Sequence, residues 1–149
     1  MNSHHTVAIG TWEGDKQQSI EYNSSIAVGI DCPRAKLRVS ILLDTIQEYQ
    51  VRYIFSDEEI SEAVNEAGLI IGARGIAYEG VLQRKPVIVV GEYGFGGLVT
   101  PDTLHEQYNN YFRGKINGIK AEYFSLERLE EEIRRGFALT FQELSLIHI

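Results

Sequence analysis

Apolar residues along the chain form short compact runs that alternate with longer stretches of helical periodicity. The compact runs are rich in valine and isoleucine and predict β-strands. They comprise residues 6–11, 26–31, 51–55, 69–73 and 87–90. Between them, apolar side chains recur every three or four residues and predict helices. These helices cover residues 33–49, 57–67, 75–83, 101–111 and 125–137, with a further short helix over 16–22.

Polar and special residues mark where several predicted elements begin and end. Pro33 suits a first helical turn, where its missing N–H has no bond to lose. Ser56 and Glu59 have the spacing of a capping box, and Gly68 is typical of a helix C-terminus. Glycine and polar residues over 91–100 predict a long loop before the next helix.

The alternation of strands and helices predicts an α/β fold with a parallel sheet and helices on both faces. In such a sheet every strand-to-helix loop leaves from the carboxyl edge. The loops that follow residues 69–73 and 87–90 are therefore expected to lie side by side. Open α/β sheets bind their ligands at this edge.

Composition narrows the class of protein. The 149 residues fit one domain, and the apolar content of 44% and charged content of 23% are ordinary for a globular protein. The net charge of −7 argues against a nucleic-acid partner, which needs a basic face. No apolar run is long enough for a transmembrane segment. The single cysteine, Cys32, can form neither an internal disulfide nor a metal cluster, which predicts a cytoplasmic protein with no metal site.

Two glycine clusters occupy the two loops that are expected to meet. Their members are Gly72, Gly75, Gly91, Gly94, Gly96 and Gly97. Glycine lets backbone N–H groups approach a ligand without an intervening side chain. The first cluster opens a helix, whose amino end attracts phosphate, and Arg74 adds a permanently charged donor there. The alternative is that these glycines only form turns.

Glu79 falls about one turn into the helix that the first cluster opens. Its negative charge is favourable near a helix amino end. A carboxylate there can accept hydrogen bonds from two adjacent hydroxyls, such as those of a ribose. The alternative is an ordinary solvent-exposed glutamate on the helix surface.

The segment "ARGIAYEGVLQRKPVIVVGEYGFGGLVTP", residues 73–101, resembles the donor-binding half of GT-B glycosyltransferases, especially the family 4-like enzymes. Those enzymes have a short strand, a glycine-rich turn and then the pattern EAxxxGxPVIxxxxGG. Here Gly80 replaces the usual alanine and Arg84 the usual glycine. The likeness extends more weakly through residues 109–115. It implies a Rossmann-like domain that forms one half of a GT-B fold.

The resemblance implies roles for particular residues. Glu79 matches the glutamate that binds the donor's ribose. The turn from Gly72 to Gly75 would approach the sugar and diphosphate, with the loop of Gly94, Gly96 and Gly97 lining the adjoining part of the pocket. Lys36 or Arg34 would hold the diphosphate from the start of an earlier helix. Retaining members carry another glutamate where this chain has Ile71, and Arg74 is expected to take over part of that role.

The activity implied is transfer of a glycosyl group from a nucleoside-diphosphate-sugar to an acceptor, in polysaccharide or glycoconjugate synthesis. The nucleotide-sugar is a substrate, no further cofactor is expected, and no catalytic residue is assigned. Residues 1–143 are expected to form a single donor-binding domain, a fragment that lacks the N-terminal acceptor domain and is inactive alone. The expected location is the cytoplasm, with the inner membrane surface as the alternative.

The last six residues, "LSLIHI", read like the translation of a transposon-end adapter used in sequencing libraries. Residues 144–149 are therefore interpreted as a non-native tail. The alternative is a short apolar tail that docks on the core.

Two other functions compete with donor binding in a transferase. A GT-B-shaped epimerase acting on UDP-sugars would share the same glycines and glutamate. A non-catalytic binding or regulatory module, such as a receiver, would need an acidic pair and a phosphoacceptor aspartate at its strand ends. Asp31 and Asp57 stand at strand ends here, without such a paired set.

Overall fold

The structure, a computed structural model, describes residues 4–9, 18–115, 118–120 and 123–149. Within these residues the strands are β1 (His4–Ile9), β2 (Gln18–Asn23), β3 (Ser25–Gly29), β4 (Gln50–Tyr53), β5 (Leu69–Gly72), β6 (Val87–Gly91) and β7 (Gly94–Leu98). The α-helices are α1 (Pro33–Ile46), α2 (Ile60–Glu66), α3 (Gly75–Leu82), α4 (Leu104–Asn109), α5 (Leu126–Ala138) and α6 (Phe141–Ser145). A short 3-10 turn, Asp57–Glu59, precedes α2.

One sheet organises the domain, with strand order β4–β3–β5–β6–β7. β3 runs parallel to β4 and β5, and β5 runs parallel to β6. β7 is antiparallel to β6 and forms one edge. Helices cover both faces of this sheet. The predicted α/β class, with a Rossmann-like sheet between two helical layers, is confirmed.

Side chains on both faces of the central strands are buried. In β5, Leu69 and Ile71 pack toward the layer that contains α1 and α5, whereas Ile70 packs toward the layer that contains α2 and α3. All three are fully inaccessible to solvent. A strand buried on both faces is apolar at consecutive positions, because successive side chains point to opposite faces. This explains why the strands were readable as compact apolar runs.

The amino-terminal region differs from the prediction of a short helix over residues 16–22. Residues 16 and 17 lie outside the described ranges, and Gln18–Asn23 form β2, which pairs antiparallel with β1. The two strands form a separate two-stranded sheet. In this segment Ile20 and Tyr22 alternate with Ser19 and Glu21, which is the period of a strand.

The predicted glycine-rich loop over residues 91–100 is wrong for most of its length. The chain turns at Glu92 and Tyr93 and then runs back along β6 as β7. Glycine is a weak strand former, so the sequence carries no strand pattern here. Contacts from the helices hold the strand instead. A Cβ at Gly96 would meet the buried side chain of Gln107, and a Cβ at Gly97 would meet Glu132.

Two residues that were predicted to mark helix ends have other roles in the structure. Ser56 precedes the 3-10 turn but makes no side-chain capping bond, so the capping box with Glu59 does not form. Ala67, in an extended conformation, ends the second helix. Gly68 is needed for another reason: a Cβ there would collide with the carbonyl oxygen of Asn23.

The carboxyl-terminal residues pack on the domain. α6 begins with a capping box between Thr140 and Glu143, and Ile147 is buried in the layer that contains α2 and α3. Among the described residues, no helix combines the length and apolarity required to span a bilayer.

Candidate functional site

The carboxyl ends of β3, β5 and β6 meet at one edge of the sheet, where they border two adjoining cavities. Gly29 lies opposite Gly72 in the β3–β5 register. The first cavity, of about 310 Å³, is lined by Ile30, Asp31, Cys32, Ala73, Arg74, Gly91 and Glu92. The second, also about 310 Å³, is lined by Gly29, Asp31, Ile54, Phe55, Ser56, Asp57, Ile60, Ala73, Arg74, Gly75, Ile76 and Tyr111. Asp31, Ala73 and Arg74 border both, so Arg74 stands between them.

Arg74 occupies a backbone conformation that non-glycine residues rarely adopt. Its φ of 57° and ψ of −126° fall outside the regions allowed to L-residues. The turn is held from both sides, because the Arg74 N–H donates to the Phe112 carbonyl at 3.1 Å and the Tyr78 N–H donates to the Arg74 carbonyl at 2.9 Å. Strain of this kind persists where the surroundings enforce it, and it concentrates at binding and catalytic sites.

The guanidinium of Arg74 meets a carboxylate and a second guanidinium. Its Nε donates to Oε1 of Glu92 at 3.0 Å, and its Nη2 donates to the same oxygen. Nε of Arg113 lies 3.7 Å from that oxygen. The hydrogen bond to Glu92, and then the charge of that carboxylate, raise the pKa of Arg74 above its usual value. Both arginines therefore converge on Oε1 of Glu92 beside the first cavity.

A strained turn over residues 110–114 positions Arg113. The side chain of Asn110 closes this turn, donating to the Gly114 carbonyl at 2.7 Å and accepting from the Arg113 N–H at 3.1 Å. Tyr111 and Phe112 both have positive φ, at 57° and 56°. The turn packs against the start of β7 so closely that a Cβ on Gly114 would collide with the backbone of Gly94.

Neither the packing nor the backbone conformation at Gly75 requires a glycine. Gly75 opens α3 and lines the second cavity. A Cβ added there would make only an ordinary contact, 3.7 Å from Cδ1 of Ile60. The first N–H groups of any α-helix lack partners within the helix. The unpaired backbone N–H groups at this end of α3, directly beside Arg74, are suited to binding an anion.

The other predicted glycines have packing roles. A Cβ at Gly72 would collide with the Gly29 carbonyl and with Ile76. Gly94, Gly96 and Gly97 belong to β7 and line neither cavity. Phe95, between them, is buried and stacks on Phe124 with a centroid distance of 4.7 Å.

Neither Glu79 nor Lys36 lines either cavity. Oε2 of Glu79 accepts a hydrogen bond from Nε2 of Gln83, one turn further along α3, at 2.8 Å. Nζ of Lys36 lies 4.3 Å from the ring centroid of Phe55, over the side chain that borders the second cavity. The structure therefore brings Arg74 and Gly75 together but places neither Glu79 nor Lys36 beside them.

Several cleft residues were not selected from the sequence as binding residues. Glu92 carried no signal beyond its place after a buried strand. Arg113 and Tyr111 lie in the 109–115 segment, where the likeness to glycosyltransferases was weak. Asp57 was recognised as a strand-end acid, and the common carboxyl edge of β3 and β4 explains why it shares the second cavity with Asp31.

The cleft mixes charges of both signs around an apolar wall. Carboxylates of Asp31, Asp57 and Glu92 line the cavities, and Arg74 with Arg113 opposes them. The second cavity also exposes the rings of Phe55 and Tyr111. The described residues contain no group of three histidine, cysteine, aspartate or glutamate side chains arranged to hold a metal ion. The arrangement can hold an anion at Arg74 and a flat, hydroxyl-bearing group beside it.

No protein-family model, curated protein or solved structure matches this chain. Interpretation of the cleft therefore depends on its geometry. The elements that carry it are the strained turn before α3, the Glu92–Tyr93 turn after β6 and the strained turn over residues 110–114.

Proposed function

We propose that this domain binds the nucleoside-diphosphate-sugar donor of a glycosyltransferase, which transfers the glycosyl group to an acceptor held by another domain. The observation that carries the proposal is Arg74, fixed in a strained turn at the amino end of α3 between two cavities. A diphosphate is the central part of such a donor, with a nucleoside on one side and a sugar on the other. The two cavities offer space for both sides.

The second cavity is the better place for the nucleoside. Its aromatic side chains, Phe55 and Tyr111, are 75% and 43% exposed, so a base can stack on either ring. Tyr111 is itself supported by Tyr78, at a centroid distance of 6.1 Å. The first cavity is bordered by Asp31 and Cys32, whose polar side chains suit a sugar.

Replacing Tyr111 with leucine tests the nucleoside assignment. We expect affinity for the best of UDP, GDP and ADP to fall about tenfold, because one base–aromatic stack is lost. Affinity for inorganic pyrophosphate, which has no base, should stay the same. Isothermal titration calorimetry measures both. Tyr123→Leu removes an exposed ring outside both cavities and is the matched control.

Equal losses for nucleotide and pyrophosphate in Tyr111→Leu would contradict the stacking role. A wild-type domain that binds no nucleoside diphosphate more tightly than pyrophosphate would contradict the proposed function. Magnesium is titrated in parallel, since a receiver-like module should bind that ion instead.

A second prediction asks which carboxylate accepts the ribose hydroxyls. Asp31 lines both cavities together with Arg74, whereas Asp57 lines only the second cavity, which we assign to the nucleoside. We expect Asp57→Asn to lower affinity for the nucleoside diphosphate about fivefold, because hydrogen bonds to a charged acceptor are lost. Its affinity for the 2′,3′-dideoxy analogue should be unchanged. Calorimetry with both ligands measures this.

Glu79→Gln is the informative counterpart, since the resemblance assigns the ribose contact to Glu79. In the structure its carboxylate is held by Gln83. We expect little effect from this substitution. A hydroxyl-dependent loss in Glu79→Gln, with none in Asp57→Asn, would show that Glu79 turns into the cleft when the donor binds.

A further inference from the structure

The carboxylate of Glu92 stands where a phosphate group of the proposed ligand would be held. Two donors of Arg74 bind its Oε1, and Arg113 approaches the same oxygen. We propose that Glu92 is the internal anion of this cleft: it offsets part of the positive charge of the two arginines and is displaced by the phosphates of the ligand. This inference rests on the proposed function and adds a residue that limits the affinity of the cleft for anions.

The contacts around Glu92 leave donors and acceptors unused. Nε of Arg113 is buried and has no hydrogen-bond partner within the described residues, because 3.7 Å to Glu92 exceeds hydrogen-bonding distance. A guanidinium has five N–H donors, and Arg74 uses two of them on one oxygen. One carboxylate oxygen therefore lies near two guanidinium groups but forms hydrogen bonds with Arg74 alone. A diphosphate, with several charged oxygens, can bind both arginines at hydrogen-bonding distance.

The Glu92 side chain can also move away from the two arginines. Glu92 lies in the two-residue turn between β6 and β7, and 41% of its side chain is exposed, as is 45% of that of Arg74. Ion pairs with this exposure contribute little to stability. Rotation of the carboxylate into water would thus release the arginines without disturbing the buried strands.

The consequence is a penalty on anionic ligands. A ligand must compete with a carboxylate that is already held close to both arginines. Every anion that displaces this carboxylate is weakened by the same factor, so the displacement does not favour a diphosphate over a monophosphate. Glu92 would therefore lower the affinity of the cleft for both.

Glu92→Gln tests this directly, because glutamine keeps the shape and removes the charge. With calorimetry we expect pyrophosphate and the best nucleoside diphosphate to bind about three- to tenfold more tightly than to wild type. The affinity for the corresponding monophosphate should rise by no more than that for the diphosphate, because both ligands displace the same carboxylate. Glu92→Ala should change in the same direction. Glu131→Gln, on the exposed face of α5, changes net charge equally and should leave all affinities unchanged.

Unchanged or weaker binding in both Glu92 variants, with thermal unfolding that matches wild type, would overturn the inference, since Glu92 would then position Arg74 for the ligand. Tighter pyrophosphate binding in Glu92→Gln, with no added affinity from any nucleoside, would support the internal anion but contradict the nucleotide-binding proposal. The two outcomes separate this inference from the function on which it rests.

Discussion

Arg74→Gly is expected to make the domain more stable while its cleft loses most of its affinity for a diphosphate. The stability gain follows from the backbone, because φ of 57° with ψ of −126° is accessible to glycine and strained for arginine. We expect a rise in Tm of about 3 °C. The binding loss follows from the side chain, which supplies the bidentate charged donor between the two cavities, and should be at least about tenfold.

The chain provides a matched control for Arg74→Gly. Arg84 also has a positive φ, 58°, and lies between α3 and β6, at the opposite edge of the sheet from the cleft. Arg84→Gly removes the same charge and relieves a positive φ, so it should raise Tm without lowering affinity. Arg74→Lys keeps a positive charge and the strain but loses the planar fork, and we expect intermediate affinity with unchanged Tm.

A higher Tm together with a lower affinity in Arg74→Gly would show that the strain at Arg74 is maintained for its function. Calorimetric titration with pyrophosphate and differential scanning calorimetry measure the two quantities on the same samples. Full retention of affinity in Arg74→Gly would contradict the anion-binding role. A lower Tm in that variant would show that the ion pair with Glu92 stabilises the domain by more than the turn destabilises it.

The parts of the fold that were predictable are those where the local sequence pattern matches the burial of the element in the structure. Leu69–Gly72 and Val87–Gly91 are buried on both faces, so their sequences are continuously apolar. β7 has no such pattern, because three of its five residues are glycine. It is a strand because Glu132 and Gln107, far along the chain, lie against it. Tertiary contacts of this kind leave no signal in the strand itself.

The candidate site, like the fold, was predictable from the sequence only in part. The position of Arg74 followed from its place between a buried strand and a helix, and the structure puts it at the predicted edge. The direction of the Glu79 side chain could not be predicted from the sequence, because a hydrogen bond from Gln83 sets it. The meeting of Glu92 with Arg113 depends on a turn with two successive left-handed residues, which no periodicity describes.

Glu132→Ala is expected to be the most destabilising of the substitutions considered. Glu132 is a carboxylate on α5 that is only 2% exposed. Its Oε1 accepts from the N–H of Leu98, on the edge strand β7, at 2.7 Å, and its Oε2 accepts from Arg135 at 2.7 Å. Alanine would leave the buried Leu98 N–H without an acceptor and open space beside Gly97. We expect a loss of about 2–4 kcal/mol in the free energy of unfolding.

Two further variants identify which contact of Glu132 matters. Glu132→Gln keeps an oxygen for Leu98 and removes only the charge opposite the half-exposed Arg135, so its loss should be about 1 kcal/mol. Glu131→Ala, one residue earlier on the exposed side of α5, should stay within about 0.5 kcal/mol of wild type. Urea denaturation gives the free energies, and hydrogen exchange at the Leu98 amide reports the bond itself. If Glu132→Ala and Glu131→Ala unfold alike, the carboxylate does not hold β7, and packing against α5 alone must keep this glycine-rich strand in the sheet.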